Sequence, residues 1–458
     1  MRLTVIGTGY VGLVSGACFA EVGHTVTCMD IDAGKIGRLD VGEIPIFEPG
    51  LEEIVRRNRT SGRLRFACTV ESVADADAVF LAVGTPTRVE DGEADLNYLF
   101  AAVEMMAPHL DGRAVIVSKS TVPVGTGDRI AALLASLRPG IPIDVASCPE
   151  FLREGSAVVD FMEPSRIVIG AESVRAIGVL RDVYRPFTER GCPLRAMSRR
   201  SAELAKYAAN AFLATKVTFI NEIADFCERV GADVHDVASS MGLDPRIGPS
   251  FLNPGPGYGG SCFPKDTLAL LRHGESFDTS LQIVETVVAV NERRKRQLCR
   301  RVLTACGGSV AGKRIALLGV AFKPDTDDMR DAPSIHLARR LVDEGATLVA
   351  YDPAARANAE VLPAFRSVDW AGTALDAVED ADAVAIMTEW NEFREIDLAE
   401  LHDLMRTPIV VDFRNVFSPS AAEAAGLVYW QVGRPVVGMT ASTGPQRASW
   451  VRTGEAVF

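Results

Sequence analysis

The segment that most constrains this chain is Val5-Ile6-Gly7-Thr8-Gly9-Tyr10-Val11-Gly12. Its GxGxxG spacing follows a short apolar, β-branched run and leads into a helical pattern carried by Val14, Ala17 and Cys18. Strand, glycine turn and helix in that order open a βαβ unit that can hold a dinucleotide. Gly7 makes the tight turn, Gly9 lets the backbone approach a pyrophosphate, and Gly12 lets helix and strand pack closely. The helix N-terminus at Tyr10 and Val11 offers N–H donors to the phosphates. Asp30 closes the next strand, 18 residues after Gly12. A carboxylate there accepts hydrogen bonds from a ribose and repels a 2′-phosphate, which selects NAD over NADP. The bland alternative is a tight strand–helix turn with no ligand.

The alternation continues. Residues 3–7, 25–30, 78–83, 114–119 and 143–146 read as strands, and their continuous apolar character suits a parallel sheet buried on both faces. Residues 199–230 carry an Ala-rich helical period, and a second helical stretch runs over 279–305. The Gly/Pro-rich stretch 248–264 between them is too broken for a regular element. Strand patterns then return at 313–319, 347–352, 383–388 and 409–413. The expected class is α/β, with two doubly wound Rossmann-like domains joined by a central helical connector. The expected division is 1–198, 199–305 and 306–440, followed by a disordered tail over 441–458.

With 458 residues the chain can bury a large core, and 48% hydrophobic with 24% charged residues is ordinary for a globular protein. The net charge of -12 argues against a nucleic-acid binder, so an anionic ligand needs local cations or backbone N–H groups. No apolar run reaches the roughly 18 residues of a membrane span. The first residues run straight into a fold element, so no signal peptide is expected. Nine cysteines without a CxxC pair favour free thiols and a cytoplasmic setting. The histidines stand singly, and no metal is expected.

The chemistry concentrates in Gly259-Gly260-Ser261-Cys262-Phe263-Pro264-Lys265-Asp266-Thr267. Glycines, then a proline and an apolar run, read as a loop opening into a helix with Cys262 near its N-terminus. The helix dipole is expected to lower the thiol pKa and favour the thiolate. Taken alone, such a cysteine is more often a buried structural thiol. A nicotinamide beside a reactive thiol suggests oxidation through a covalent thioester. Glu203, Lys206 and Asn210 lie on the Ala-rich helix, and Lys206 and Asn210 share a face and can hold an oxyanion, although a solvated helix face is the rival reading of Lys206. The loops Gly84-Thr85-Pro86-Thr87 and Ser120-Thr121-Val122-Pro123 leave strand ends where ligands of parallel sheets sit. Pro149-Glu150-Phe151-Leu152-Arg153-Glu154 carries two carboxylates four apart. Phe322-Lys323-Pro324-Asp325-Thr326-Asp327-Asp328-Met329-Arg330 follows a second-half strand. Its two cations balance the aspartates, its spacing fits no calcium loop, and Lys323 suits phosphate recognition. Asp412-Phe413-Arg414-Asn415 ends another strand with a cation.

Over residues 1–440 this set of motifs resembles the UDP-glucose/GDP-mannose dehydrogenase family. Ser261 before the cysteine, with Phe-Pro-Lys-Asp after it, is similar to the branch acting on UDP-glucose. The resemblance implies a four-electron oxidation of a primary alcohol to a carboxylate with two NAD, through a Cys262 thiohemiacetal and thioester. It implies oxyanion stabilisation by Lys206 and Asn210, proton transfer assisted by Asp266, and a water positioned by Glu150 and Thr121. It implies NAD contacts from Asp30, Lys35, Thr85, Thr121, Glu154 and Arg330. It implies sugar-nucleotide contacts from Phe151, Leu152, Lys206, Asn210, Phe251, Gly259, Phe322, Lys323 and Arg414. Arg246 is implied to reach the active site of a neighbouring subunit, so that a homo-oligomer built on a dimer through the central helix is expected. Asn253 stands where some relatives carry lysine, and an amide or backbone contact replaces the charge. The rival readings are the same chemistry on GDP-mannose or a UDP-N-acetylhexosamine, a two-electron dehydrogenase resembling the β-hydroxyacid group, and an NAD-binding regulator without turnover.

Overall fold

In the computed structural model, which describes residues 1–88 and 92–438, the chain forms two compact units. The expected tail at 441–458 lies outside the described residues. The first unit comprises Met1–Thr215, Gly259–Ala289 and Asp325–Asp327. The second comprises Lys216–Tyr258, Val290–Pro324 and the chain from Asp328 onward.

The first unit is built on eight strands: β1 (Arg2–Ile6), β2 (Thr25–Met29), β3 (Leu64–Ala67), β4 (Ala78–Leu81), β5 (Val115–Ser118), β6 (Val145–Ser147), β7 (Ile167–Ala171) and β8 (Leu194–Met197). They form one sheet in the order β3-β2-β1-β4-β5-β6-β7-β8, with only the β6–β7 pair antiparallel. The strand order reverses beside β1, which places a crevice at the carboxyl ends of β1 and β4. Strand alternation builds a core on each face. β4 sends Ala78 and Phe80 to one side and Val79 and Leu81 to the other. Phe19 packs on Phe80 and Phe161, with ring centroids 4.9 and 5.0 Å away. Burying one such ring contributes about 1.5–3 kcal/mol.

The second unit carries β9 (Arg314–Leu318), β10 (Thr347–Tyr351), β11 (Asp369–Trp370), β12 (Ala383–Ile386), β13 (Ile409–Asp412) and β14 (Val428–Gln431), ordered β11-β10-β9-β12-β13-β14 and parallel throughout. Both sheets have the doubly wound order expected from the repeated strand pattern. Five strands, β3, β7, β8, β11 and β14, were not expected. β11 has only two residues, and β8 is an edge strand with partly exposed side chains, so neither carries a strong apolar signal. β7 is a fully buried IVIGA run and had the same signal as the strands that were expected.

The long helix Arg199–Val230 spans the division between the units, and Gln282–Ala305 is the second long helix. Between them, residues 243–262 form no helix or strand, as the glycines and prolines require. Side chains satisfy that backbone within the second unit. The Asn221 amide oxygen accepts from Gly255 N–H at 2.8 Å. Asn291 accepts from Tyr258 N–H at 2.9 Å and donates to its carbonyl at 3.0 Å.

Candidate active site

The fingerprint lies between β1 and the helix Tyr10–Glu21, with Gly9 as the N-cap residue. Gly7 has φ +99, and a Cβ there would lie 2.7 Å from the Ala82 carbonyl oxygen. A Cβ on Gly12 would lie 1.9 Å from the Gly7 carbonyl oxygen. A Cβ on Gly9 would meet nothing within 4 Å. Two glycines are therefore required by packing, whereas the third faces open space at the helix N-terminus, which is the cradle a pyrophosphate needs. The residues present fit NAD.

Asp30 follows β2 and accepts from Thr8 N–H at 2.8 Å and Thr8 Oγ1 at 2.7 Å, while Lys35 Nζ lies 3.4 Å away. Burial alone would raise its pKa, but the Thr8 and Asp32 donors and Lys35 hold the carboxyl below its usual range. Thr8 was not expected to take part, since its hydroxyl has no place in the glycine spacing. Thr85 Oγ1 donates to the Thr121 carbonyl at 2.9 Å and so ties together the loops after β4 and β5. Tyr10 donates its hydroxyl to Glu48, which also accepts from the N–H groups of Gly155 and Ala157, each at 2.7 Å. Glu48 was missed because the residues it caps lie more than a hundred positions along the chain.

Cys262 is the N-cap residue of the helix Phe263–Glu275, as the glycine–proline pattern implies. Its thiol pKa differs from expectation: burial raises it first, and the Glu150 and Asp266 carboxylates add to that. Lys206 and the Ser261 hydroxyl pull the other way without compensating. The helix N-terminus is therefore not enough to make a resting thiolate here, because desolvation penalises the charged form.

Lys206 is buried, so the solvated-face reading of it is set aside. Its Nζ lies 3.0 Å from Glu150 Oε1. Burial would depress the ammonium pKa, but Glu150, Cys262 and Asp266 outweigh it and hold the pKa above the usual lysine value. Asn210 Nδ2 donates to Asp266 Oδ2 at 2.6 Å, and Lys265 Nζ donates to the other Asp266 oxygen at 2.6 Å. Thr121 and Lys206 line one small cleft with Ser118, Ser120, Ser147 and Glu203. Glu203 accepts from Gly125 and Gly127 N–H and from Ser147 Oγ at 2.7, 2.8 and 2.8 Å. It thereby satisfies the N-terminus of the helix Thr126–Leu137, and the sequence placed it on the helix face without that role. The Phe151 ring lies 5.5 Å from Lys206 Nζ, Leu152 is half-buried beside it, and Gly259 is buried.

The first unit thus gathers Thr121, Glu150, Lys206, Asn210, Cys262 and Asp266 from four separate segments of sequence. Arg246, Phe251, Asn253, Phe322, Lys323, Arg330 and Arg414 belong to the second unit. There, Arg414 donates to the carbonyls of Phe322 and Met387 at 2.6 and 2.9 Å. Lys323 Nζ stands 5.4 Å from the Phe322 ring. Arg330 chelates Asp328 at 2.8 and 2.9 Å. Arg246 pairs with Asp244 and is 87% exposed along its side chain. Phe251 has φ 64, and Asn253 is exposed.

A doubly wound sheet with a dinucleotide fingerprint, and a buried lysine–carboxylate–amide cluster around one thiol, define a dinucleotide-dependent dehydrogenase. The chain belongs to the UDP-glucose/GDP-mannose dehydrogenase family, whose NAD binding domain matches residues 1–188, central domain residues 200–293 and UDP binding domain residues 316–419. It is 52% identical over 438 residues to a UDP-glucose 6-dehydrogenase of Rhizobium meliloti (strain 1021), covering 95% of this chain and all of the relative. A UDP-glucose 6-dehydrogenase of Bacillus subtilis (strain 168) is 49% identical over 440 residues, 95% of this chain and 98% of that one. Among solved structures, a UDP-glucose dehydrogenase from Pyrobaculum islandicum matches with a TM-score of 0.86 at 40% identity, over 94% of this chain and 98% of that one. The cofactor is NAD, and the substrate-binding domain is of the UDP-binding type. Among the described residues no helix is long and apolar enough to cross a membrane.

Proposed function

We propose that this chain is a UDP-glucose 6-dehydrogenase that oxidises the C6 alcohol of UDP-glucose to the carboxylate of UDP-glucuronate. The observation that carries the reading is the buried set of Lys206, Glu150, Asn210 and Asp266 around the Cys262 thiol. Gly7, Gly9, Tyr10, Val11, Gly12, Asp30, Lys35, Thr85, Thr121, Glu154 and Arg330 hold the cofactor. NAD, when bound, supplies the hydride acceptor for both oxidations. Cys262 Sγ adds to the C6 aldehyde, so the aldehyde is held covalently and does not escape. Lys206 and Asn210 hold the oxygen that becomes negative in this addition and again in thioester hydrolysis. Asp266, kept in place by Asn210 and Lys265, assists proton transfer. Glu150 and Thr121 position the hydrolytic water.

Phe151, Leu152, Phe251, Asn253, Gly259, Phe322, Lys323 and Arg414 bind the nucleotide sugar, and exposed Arg246 serves the site of a neighbouring subunit. Residues 199–305 act as the connector and dimer region. Phe212, Phe219 and Phe226, 65%, 45% and 61% exposed, recur every seven residues along one long helix, and such an apolar stripe needs a partner. Nine unpaired cysteines support a cytoplasmic setting. Comparative turnover tests the substrate. UDP-glucose should be oxidised at a kcat/KM at least tenfold above GDP-mannose and UDP-N-acetylhexosamines, and preference for either rival would reassign it.

A further inference from the structure

The proposed reaction needs a thiolate, and burial with the Glu150 and Asp266 carboxylates raises the pKa of the Cys262 thiol. What accepts its proton is answered by the residue before it. Ser261 Oγ donates to Glu154 Oε1 at 2.5 Å and lies 3.4 Å from Cys262 Sγ. A serine has one proton and two lone pairs, so a hydroxyl that donates to a carboxylate is left as an acceptor toward the thiol. The other charged groups facing the sulfur are Glu150, Lys206 and Asp266. Lys206 is engaged with Glu150, and Asp266 with Asn210 and Lys265. The contact with Ser261 is the hydrogen bond that the sulfur makes among the described residues.

We propose that Ser261 and Glu154 form a proton relay for Cys262, with Ser261 touching the reacting sulfur and Glu154 acting through it. The S–H bond breaks and its electron pair stays on sulfur. Ser261 Oγ takes that proton as its own passes to Glu154 Oε1, leaving a thiolate, an intact serine and a carboxylic acid. When thioester hydrolysis releases the thiolate, the same path runs backward and restores the thiol and the carboxylate. No net proton is consumed by the relay over a cycle. The inference rests on Cys262 being the nucleophile, and it goes beyond that reading by naming the base that generates the thiolate.

The test uses the full chain without substrate. Alkylation of Cys262 by iodoacetamide is followed on its own peptide by mass spectrometry across pH, in wild type, Ser261→Ala, Ser261→Thr and Glu154→Gln. A transfer inside the protein takes nothing from solvent, so wild type should show a rate independent of pH between the carboxyl and thiol titrations. Ser261→Thr keeps the hydroxyl and should keep the plateau. Glu154→Gln removes the acceptor and should lose it, with the rate falling about tenfold for each unit below the thiol pKa, as a simple thiol does. Ser261→Ala, which removes the hydroxyl that bridges thiolate and carboxyl, should lower it at least about tenfold. An unchanged plateau in Ser261→Ala, or any plateau in Glu154→Gln, overturns the relay. So does its absence from wild type, or a loss that threonine does not restore. The two removal variants lie on different loops, so misfolding of one leaves the other informative. Iodoacetamide reports the thiolate whichever nucleotide sugar is turned over, so a wrong substrate assignment leaves this result standing.

Discussion

Single residues carry the sharpest tests. Lys206→Met removes a buried ammonium and leaves Glu150 buried without its cation. Stability should fall by about 3 kcal/mol, read as a lowered melting temperature, because one partner of a buried pair is stranded. Turnover should fall at least about a hundredfold, the usual cost of one oxyanion donor. Asp30 predicts a pH dependence. Its folded pKa is depressed, so its stabilising effect is present above the unfolded value of about 3.9 and is lost as pH falls through the folded value. Asp30→Asn should therefore melt below wild type at neutral pH and converge with it in acid, and a constant gap would refute the assignment. The glycine spacing and the Cys262 loop were legible because backbone sterics leave few residues able to fill those positions. The state of the thiol was not legible. It depends first on burial and then on Glu150, and only the fold buries the sulfur and brings that carboxylate to it.

At the scale of elements, the helix Thr126–Leu137 begins at Gly125, which offers no side-chain cap, and Glu203 stands in for one. Glu203→Ala should cost about 1–2 kcal/mol in denaturant unfolding, the size of a lost helix cap. Its neighbours Ser147 and Lys206 share the same cleft, so a KM change larger than the stability loss explains would give Glu203 a more direct role. Strands buried on both faces, such as β1, β4 and β9, were readable as apolar runs. The two-residue β11 and the edge strand β8 were not, since pairing to a neighbour defines them more than their own composition does. Glu48 was unreadable for a related reason: its partners at Gly155 and Ala157 are supplied by tertiary folding.

For the molecule as a whole, two doubly wound sheets followed from the recurrence of strand patterns after residue 305, and the family match spans both. The stripe of Phe212, Phe219 and Phe226 predicts self-association. Phe219→Glu should shift sedimentation toward the monomer and reduce turnover with it, whereas unchanged sedimentation would leave the stripe without a partner of its own kind. The central claim is that one site oxidises an alcohol twice, the second time through Cys262. The most direct measurement is NADH formed per UDP-glucose, run to completion with excess NAD, in wild type and Cys262→Ser. Two NADH per sugar in wild type, with turnover lost or an adduct trapped in the variant, is the predicted result. One NADH per sugar would mean that oxidation stops at the aldehyde and would contradict the role given to Cys262.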